Sequence, residues 1–259
     1  MRGLKMPSFD PTTQRDEITR RNSKNQEFKE AAKKFFELSV RAQYSYLFDW
    51  LGRPIIQYPQ DVVALQQIIW DTRPDLVIET GIAHGGSLVL SASMLSLLDV
   101  ADGVDPRSST RKVLGIDIEI RAHNRMAINQ HPLSFKIQMI EGSSISDEVV
   151  QQVRSIAADH KRVMVILDSN HTAEHVEAEL AVYAPLVTDG LYCIVFDTVI
   201  ENLPDDLYQD RPWAVGNSPM TAVQKFIRQS SDFRIDTSID DRIQLTVAPS
   251  GYLRREKSH

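Results

Sequence analysis

An α/β fold with a doubly wound, mostly parallel sheet and an N-terminal helical arm is the architecture this sequence predicts, on three observations. From Asp75 onward, short apolar runs rich in β-branched and aromatic residues alternate with segments of helical length. Those runs are apolar almost throughout, as strands covered on both faces are. Each also closes on polar residues, at the strand ends where open α/β sheets receive ligands.

Residues 1–14 are polar with two prolines and are expected to form a flexible N-terminus. Phe28, Ala31, Ala32, Phe35, Phe36, Leu38, Ala42 and Tyr46 recur at helical spacing, which predicts amphipathic helix within 15–50. Pro54 and Pro59 break that pattern and introduce a second helix over 61–70. Residues 15–70 are therefore expected as an arm or cap, and 71–259 as the ligand-binding domain.

Strands are predicted at 75–80 (DLVIET), 113–118 (VLGIDI), 134–140 (SFKIQMI), 163–168 (VMVILD) and 191–197 (LYCIVFD). Helices are predicted from the glycine turn to Leu98 and over 121–130, 146–158, 172–186 and 219–229, with 99–112 as an inserted loop. Two more extended runs, 234–238 and 243–248, are expected as an antiparallel edge. The sequence contains no internal repeat and no low-complexity segment.

Composition excludes several functions. The formal net charge is −6 with no local Lys/Arg cluster, so neither nucleic acid nor an anionic membrane surface is an expected partner. One cysteine, Cys193, rules out an internal disulfide framework and a Cys-rich zinc site. The N-terminus lacks an apolar signal region, and the uncharged stretch 85–98 is shorter than the ~20 residues of a membrane span. A soluble cytoplasmic protein is expected.

Of 11 glycines, Gly81, Gly85 and Gly86 fall in one short turn, Glu79-Thr80-Gly81-Ile82-Ala83-His84-Gly85-Gly86-Ser87, between a strand and a helix. Such a turn lets backbone approach a ligand and offers free N–H groups at the helix start. Its spacing departs from the dinucleotide pattern G-x-G-x-x-G, which disfavours NAD and favours another adenosine-containing ligand. Asp117, ending the next strand, is placed to hold ribose hydroxyls. The alternative is a tight turn beside an ordinary strand-end acid. Ser143 and Ser144, after Gly142, could hold adenine or ribose, or form a plain turn.

Asp168-Ser169-Asn170-His171 is the second cluster. Asp168 ends a strand, where its carboxylate can reach a hard cation such as Mg²⁺. His171, at the predicted start of a helix, is expected as a neutral imidazole able to accept a proton. The alternative is that Asp168 or Asn170 caps the helix and His171 is a surface residue. The loop 203–219 is long for a connection and could form a lid, with Trp213 stacking on a ring or pinning it. His84 is read as solvated.

The run 79–87 resembles the first S-adenosylmethionine-binding motif of class I methyltransferases, with Asp117 at the position of their ribose-binding acid. LDSNHTAEHVEAEL (167–180), MIEGSSISDEVV (139–150), RPWAVGNSPMTAVQKF (211–226) and GYLRR (251–255) resemble the cephalosporin hydroxylase family, which includes rhamnosyl O-methyltransferases. The resemblance covers about residues 55 to 255 and implies a Rossmann-like sheet of the class I methyltransferase type. It implies an S-adenosylmethionine-dependent O-methyltransferase acting on a hydroxyl of a sugar or natural-product small molecule, Mg²⁺-assisted, and homo-oligomeric.

On that reading Glu79, Thr80, Gly81, Gly85, Ser87, Asp117, Ser143 and Ser144 bind the cofactor, and His171 is the catalytic base. Asp168 and Asp197 are the metal ligands. Related enzymes commonly carry Glu-Asp at the end of the fifth strand, whereas this chain has Phe196-Asp197, so one ligand of the pattern is missing. Two other readings remain open at this level. His171 and His175, four apart with Asp168 upstream, could form the facial triad of a non-haem iron oxygenase. The missing carboxylate also leaves room for a non-catalytic adenosylmethionine-binding subunit.

Overall fold

The computed structural model describes residues 11–256, so the expected flexible N-terminus lies outside the described residues up to residue 10. Two helices open the described chain, the polar α1 (Pro11–Asn22) and the amphipathic α2 (Gln26–Arg41). Asn25 caps α2, its side chain accepting the Phe28 amide. The strands β1 (Phe48–Trp50) and β2 (Arg53–Ile55) then pair as a hairpin that the sequence reading did not foresee. Its two-residue turn, Leu51-Gly52, puts both residues in the left-handed region, as tight hairpins require. Helix α3 (Pro59–Thr72) starts on a proline that has no amide to lose.

A seven-stranded sheet follows, in the order β5-β4-β3-β6-β7-β9-β8. Five strands are parallel: β3 (Leu76–Thr80), β4 (Lys112–Asp117), β5 (Ile137–Glu141), β6 (Val163–Leu167) and β7 (Tyr192–Val195). Helices α4 (Gly86–Ala101), α5 (Ala122–Asn129), α6 (Asp147–Ala158) and α7 (Ala173–Tyr183) connect them. The order reverses between β3 and β6, which makes their carboxyl ends the switch point of the sheet. Register aligns those ends, Thr80 facing both Ile116 and Leu167, and Leu167 facing Val195.

The antiparallel edge exists, built differently from the expectation. The helix α8 (Pro219–Gln229) leads into β8 (Phe233–Ile235), which pairs with β9 (Tyr252–Arg255), itself antiparallel to β7. Residues 243–248 are not a strand: Asp61, buried in α3, takes the Val247 amide and the hydroxyls of Thr246 and Tyr252, so side chains satisfy this loop instead of a ladder. Asp236 ends β8 by accepting the Ser238 amide, which starts α9 (Thr237–Ile243). Residues 134–136 of the third run form a 3-10 turn before β5.

The inserted loop is shorter than expected, because 99–101 belong to α4 and Lys112 to β4; its Arg111 pairs at 2.6 Å with Asp99 of α4, whose other carboxylate oxygen forms a fully buried ion pair with Lys136 at 2.5 Å. Removing one partner of such a pair costs about 3–5 kcal/mol, because the other charge is left buried alone. Among the described residues, no helix is long and apolar enough to cross a membrane.

Candidate active site

Two strand ends touch at the switch point. Gly81, after β3, has φ +90°, and a Cβ there would lie 2.0 Å from the Asp168 carbonyl oxygen, so glycine alone permits the approach. The turn that follows is held from two sides. Asp117 Oδ2 accepts the amides of Ile82 and Ala83 at 2.8 and 3.3 Å. From the hairpin, the Arg53 guanidinium donates to the His84 carbonyl and to Asn124, whose own amide donates to the Ala83 carbonyl. Gly86 continues the same contact, since a Cβ on it would sit 2.3 Å from the Pro54 carbonyl oxygen.

The expected cofactor residues occupy two levels. Gly81, Asp117, Ser143 and Ser144 line a cavity of about 290 Å³ together with Asp168 and His175. Gly85 and Ser87 line an adjoining cleft with Gly81 and Gln57. Glu79 and Thr80 lie beneath the turn, both buried. The Glu79 carboxyl accepts the Ser87 hydroxyl, and burial pushes its pKa up to about 7. Thr80 Oγ1 accepts the Asp168 amide at 3.4 Å. Ser144 is tied down as well, donating to Glu179 Oε1 at 2.7 Å.

Asp168, His171 and Asp197 converge, each offering a ligand atom within 4.8 Å of the others. His171 Nε2 lies 3.2 Å from Asp197 Oδ2. Asp197, just past β7, has φ +56°, a strained conformation that asparagine and aspartate tolerate better than most residues. The Asp168 carboxyl is held well above the usual carboxylate range, by burial first and then by Asp197, Glu79 and Glu179, with the Gln57 amide opposing. Acids crowded this way favour either a proton or a cation between them. Two carboxylates with room for water fit the oxygen preference of Mg²⁺, and a buried amide oxygen beside them, Gln57 Oε1, has no partner.

His171 lies immediately before the Thr172 cap of α7, at the helix start where the sequence places it. Asn170 makes the local turn, accepting the Thr172 amide and hydroxyl at 2.9 Å. The facial-triad reading fails on geometry. His175 Nε2 is engaged by Ser144, Ser169 and Glu179 at 3.2, 3.3 and 3.4 Å, and the convergent group contains Asp197 in its place.

On the other side of His171 and Asp197 opens a cavity of about 440 Å³. The arm supplies Phe36, Tyr46, Gln57 and Tyr58, and the loop after β7 supplies Tyr208, Arg211 and Trp213. Trp213 lines this cavity and the first one, and its ring meets His171 edge to face at 4.7 Å. The loop is tied at its far end by Asn217, which accepts the Ala173 amide at 3.0 Å and donates to the Pro212 carbonyl. Arg41 of α2 pairs with Asp206 of the loop at 2.9 Å.

Sequence reading missed Arg53, Asn124, Gln57, Tyr58 and Tyr208. Gln57 and Tyr58 sat in the stretch read only as a helix break, and the one available signal was a glutamine and a tyrosine spaced tightly around prolines.

Comparison with known proteins bears on the whole of this region. The family model described as Rhamnosyl O-methyltransferase/CmcI matches residues 42–256. Rhamnosyl O-methyltransferase of Mycobacterium leprae (strain TN) is 27% identical over 211 residues, covering 80% of this chain and 82% of the relative. The protein of the same name from Mycobacterium tuberculosis (strain H37Rv) is 27% identical over 197 residues, 75% of this chain and 73% of the relative. Among solved structures, CmcI in an Mg–SAM form has a TM-score of 0.55 at 17% identity, covering 82% of this chain and 78% of its own. CalS11, described as a TDP-rhamnose 3′-O-methyltransferase of calicheamicin biosynthesis, has a TM-score of 0.52 at 13% identity and covers 96% of both chains. At these identities the structures carry the fold, which is the class I methyltransferase sheet.

Proposed function

The chain belongs to the Rhamnosyl O-methyltransferase/CmcI family and is an S-adenosylmethionine-dependent O-methyltransferase, and from that premise we propose that it methylates a hydroxyl of a sugar or sugar-bearing natural product, with His171 as general base and Mg²⁺ held by Asp168 and Asp197. One observation carries the reading: the cavity at the glycine turn and the cavity under the arm meet at Trp213, beside His171 and Asp197. A donor on one side and an acceptor on the other would face each other across that junction.

Methyl transfer from a sulfonium needs alignment and removal of the hydroxyl proton. Gly81, Gly85, Ser87, Asp117, Ser143 and Ser144 would hold the cofactor, with Glu79 and Thr80 supporting the turn from below. A hydroxyl presented to His171 Nδ1, the ring nitrogen not paired with Asp197, would lose its proton there, and the imidazolium so formed would keep its Nε2–H on the Asp197 carboxylate, which stabilises it. Trp213 fixes the ring plane of His171. Bound Mg²⁺ would supply Lewis-acid polarisation of the acceptor oxygen. Residues 71–259 form the cofactor domain in this reading and 15–70 its cap; the protein is taken to be cytoplasmic and homo-oligomeric, which light scattering checks for the latter.

The test is turnover. Purified protein with S-adenosylmethionine and Mg²⁺ is offered rhamnosides and related hydroxylated glycosides, and S-adenosylhomocysteine and methylated product are read by mass spectrometry. Cofactor binding with product formation is expected on at least one glycoside. Tight cofactor binding with no product across the panel would overturn the glycoside acceptor.

A further inference from the structure

Gln57 reaches Asp168 from outside the sheet. The residue lies between β2 and α3, is 6% exposed, and its Nε2 donates to Asp168 Oδ2 at 3.3 Å. The neighbouring Tyr58, held by the Ser39 hydroxyl at 2.6 Å and stacked on Phe36, fixes the backbone from which it projects. Its Oε1 is buried with no partner. An amide oxygen so placed costs about 1–3 kcal/mol unless a partner satisfies it.

Gln57 also lines both the cleft at the glycine turn and the cavity beside His171 and Asp197. That puts it at the junction, on the same carboxylate the cation would use. The two ends of a side-chain amide exchange by a half-turn of its last torsion. Facing the Asp168 carboxyl alone, the N–H₂ end donates to it; facing a cation on Asp168, the oxygen end is the favourable one. Phe196, which precedes Asp197, is 3% exposed and contributes no oxygen. A hard divalent cation prefers several oxygens, carbonyl oxygens of Asn and Gln among them.

We propose that Gln57 is a third protein oxygen ligand of the divalent cation held by Asp168 and Asp197. The inference rests on the Mg²⁺-assisted reading above. It also makes cation binding depend on the arm, because Gln57 is presented by the segment that the hairpin and Tyr58 hold in place.

Calorimetric titration with MgCl₂, and Mn²⁺ titration followed by electron paramagnetic resonance, test it on the full chain without acceptor. Gln57→Leu is expected to weaken cation binding by about tenfold or more, with thermal unfolding showing that the fold is kept. Gln57→Glu, which adds a third carboxylate, is expected to bind the cation more tightly than wild type. Unchanged cation affinity in Gln57→Leu, or weaker binding in Gln57→Glu, overturns the ligand while leaving the methyltransferase reading intact. Wild-type protein that binds S-adenosylhomocysteine but no cation at millimolar concentration overturns the Mg²⁺ reading itself, and the Gln57 ligand with it.

Discussion

The two sides of the candidate site are built in opposite ways. On the glycine-turn side, Gly81, Asp117 and Asp168 emerge from adjacent parallel strands, and backbone amides and carbonyls fix their spacing. On the acceptor side, the walls come from α2, the segment around Gln57 and Tyr58, and the loop after β7, joined by side chains. Backbone ladders leave little freedom, whereas an ion pair half open to water and an edge-to-face ring contact leave much. The contrast implies that the sheet sets the donor geometry and the added elements select the acceptor.

The largest expected effect breaks the rigid side. Gly81→Ala forces a Cβ against the Asp168 carbonyl at a positive φ, with no flexible side chain to give way. We expect destabilisation of roughly 3–5 kcal/mol and loss of cofactor binding, read by thermal unfolding and titration. An alanine variant with wild-type melting would mean that the strand ends are not in contact. His171→Ala comes next and acts at the boundary between the sides. Its kcat should fall by about 10²–10⁴-fold, the usual range for a general base, with S-adenosylmethionine affinity unchanged. Wild-type turnover would remove His171 from the mechanism.

This contrast also marks what the sequence made legible. Strand ends are local: Glu79 to Ser87, Asp117 and Asp168 to His171 could be found because an apolar run that stops at a carboxylate is visible in one dimension. The acceptor wall is not. Tyr58 meets Phe36 by stacking, Gln57 meets Asp168 across 111 positions, and Arg53 grips the turn at His84, all through a hairpin whose six strand residues are too few to show alternation. The stretch 243–248 misled for a related reason. Its apolar residues pack as a strand's would, but the partner that satisfies its backbone is the distant Asp61. His175 shows the limit of periodicity: four-residue spacing left it open as a partner of His171, whereas His171 lies before α7 and converges with Asp168 and Asp197 instead.

A third prediction concerns pH on the rigid side. Burial raises the folded pKa of Glu79 from 4.5 to about 7, so its protonated form is favoured in the folded chain. The stability this contributes is fully present below the unfolded value and is lost as pH rises through about 7. For the cofactor-free protein, unfolding free energy should therefore fall between pH 5 and 8, with Glu79 contributing on the order of 3 kcal/mol. Asp61, raised to about 6, and Asp240, raised to about 7, act in the same direction. Glu79→Gln mimics the neutral carboxyl and should flatten the slope in part. A variant with the wild-type slope would show that Glu79 ionises in the fold without penalty.

The smallest effect probes the adaptable side. Arg41 and Asp206 connect α2 to the loop, yet their side chains are 47% and 50% exposed. Exposed pairs of this kind contribute about 0–1 kcal/mol, and salt screens them. Arg41→Ala should leave the melting temperature and cofactor affinity nearly unchanged. If the acceptor wall is held loosely, the loss should appear as a rise of a few-fold in KM for the acceptor, with kcat preserved, because His171 stays anchored by Trp213 and Asp197. The same rise should be reproduced in wild type by raising ionic strength. A fall in kcat in place of a rise in KM would mean that the loop positions the base and not the acceptor, and the division of labour between the two sides would then run through Trp213 instead of through His171.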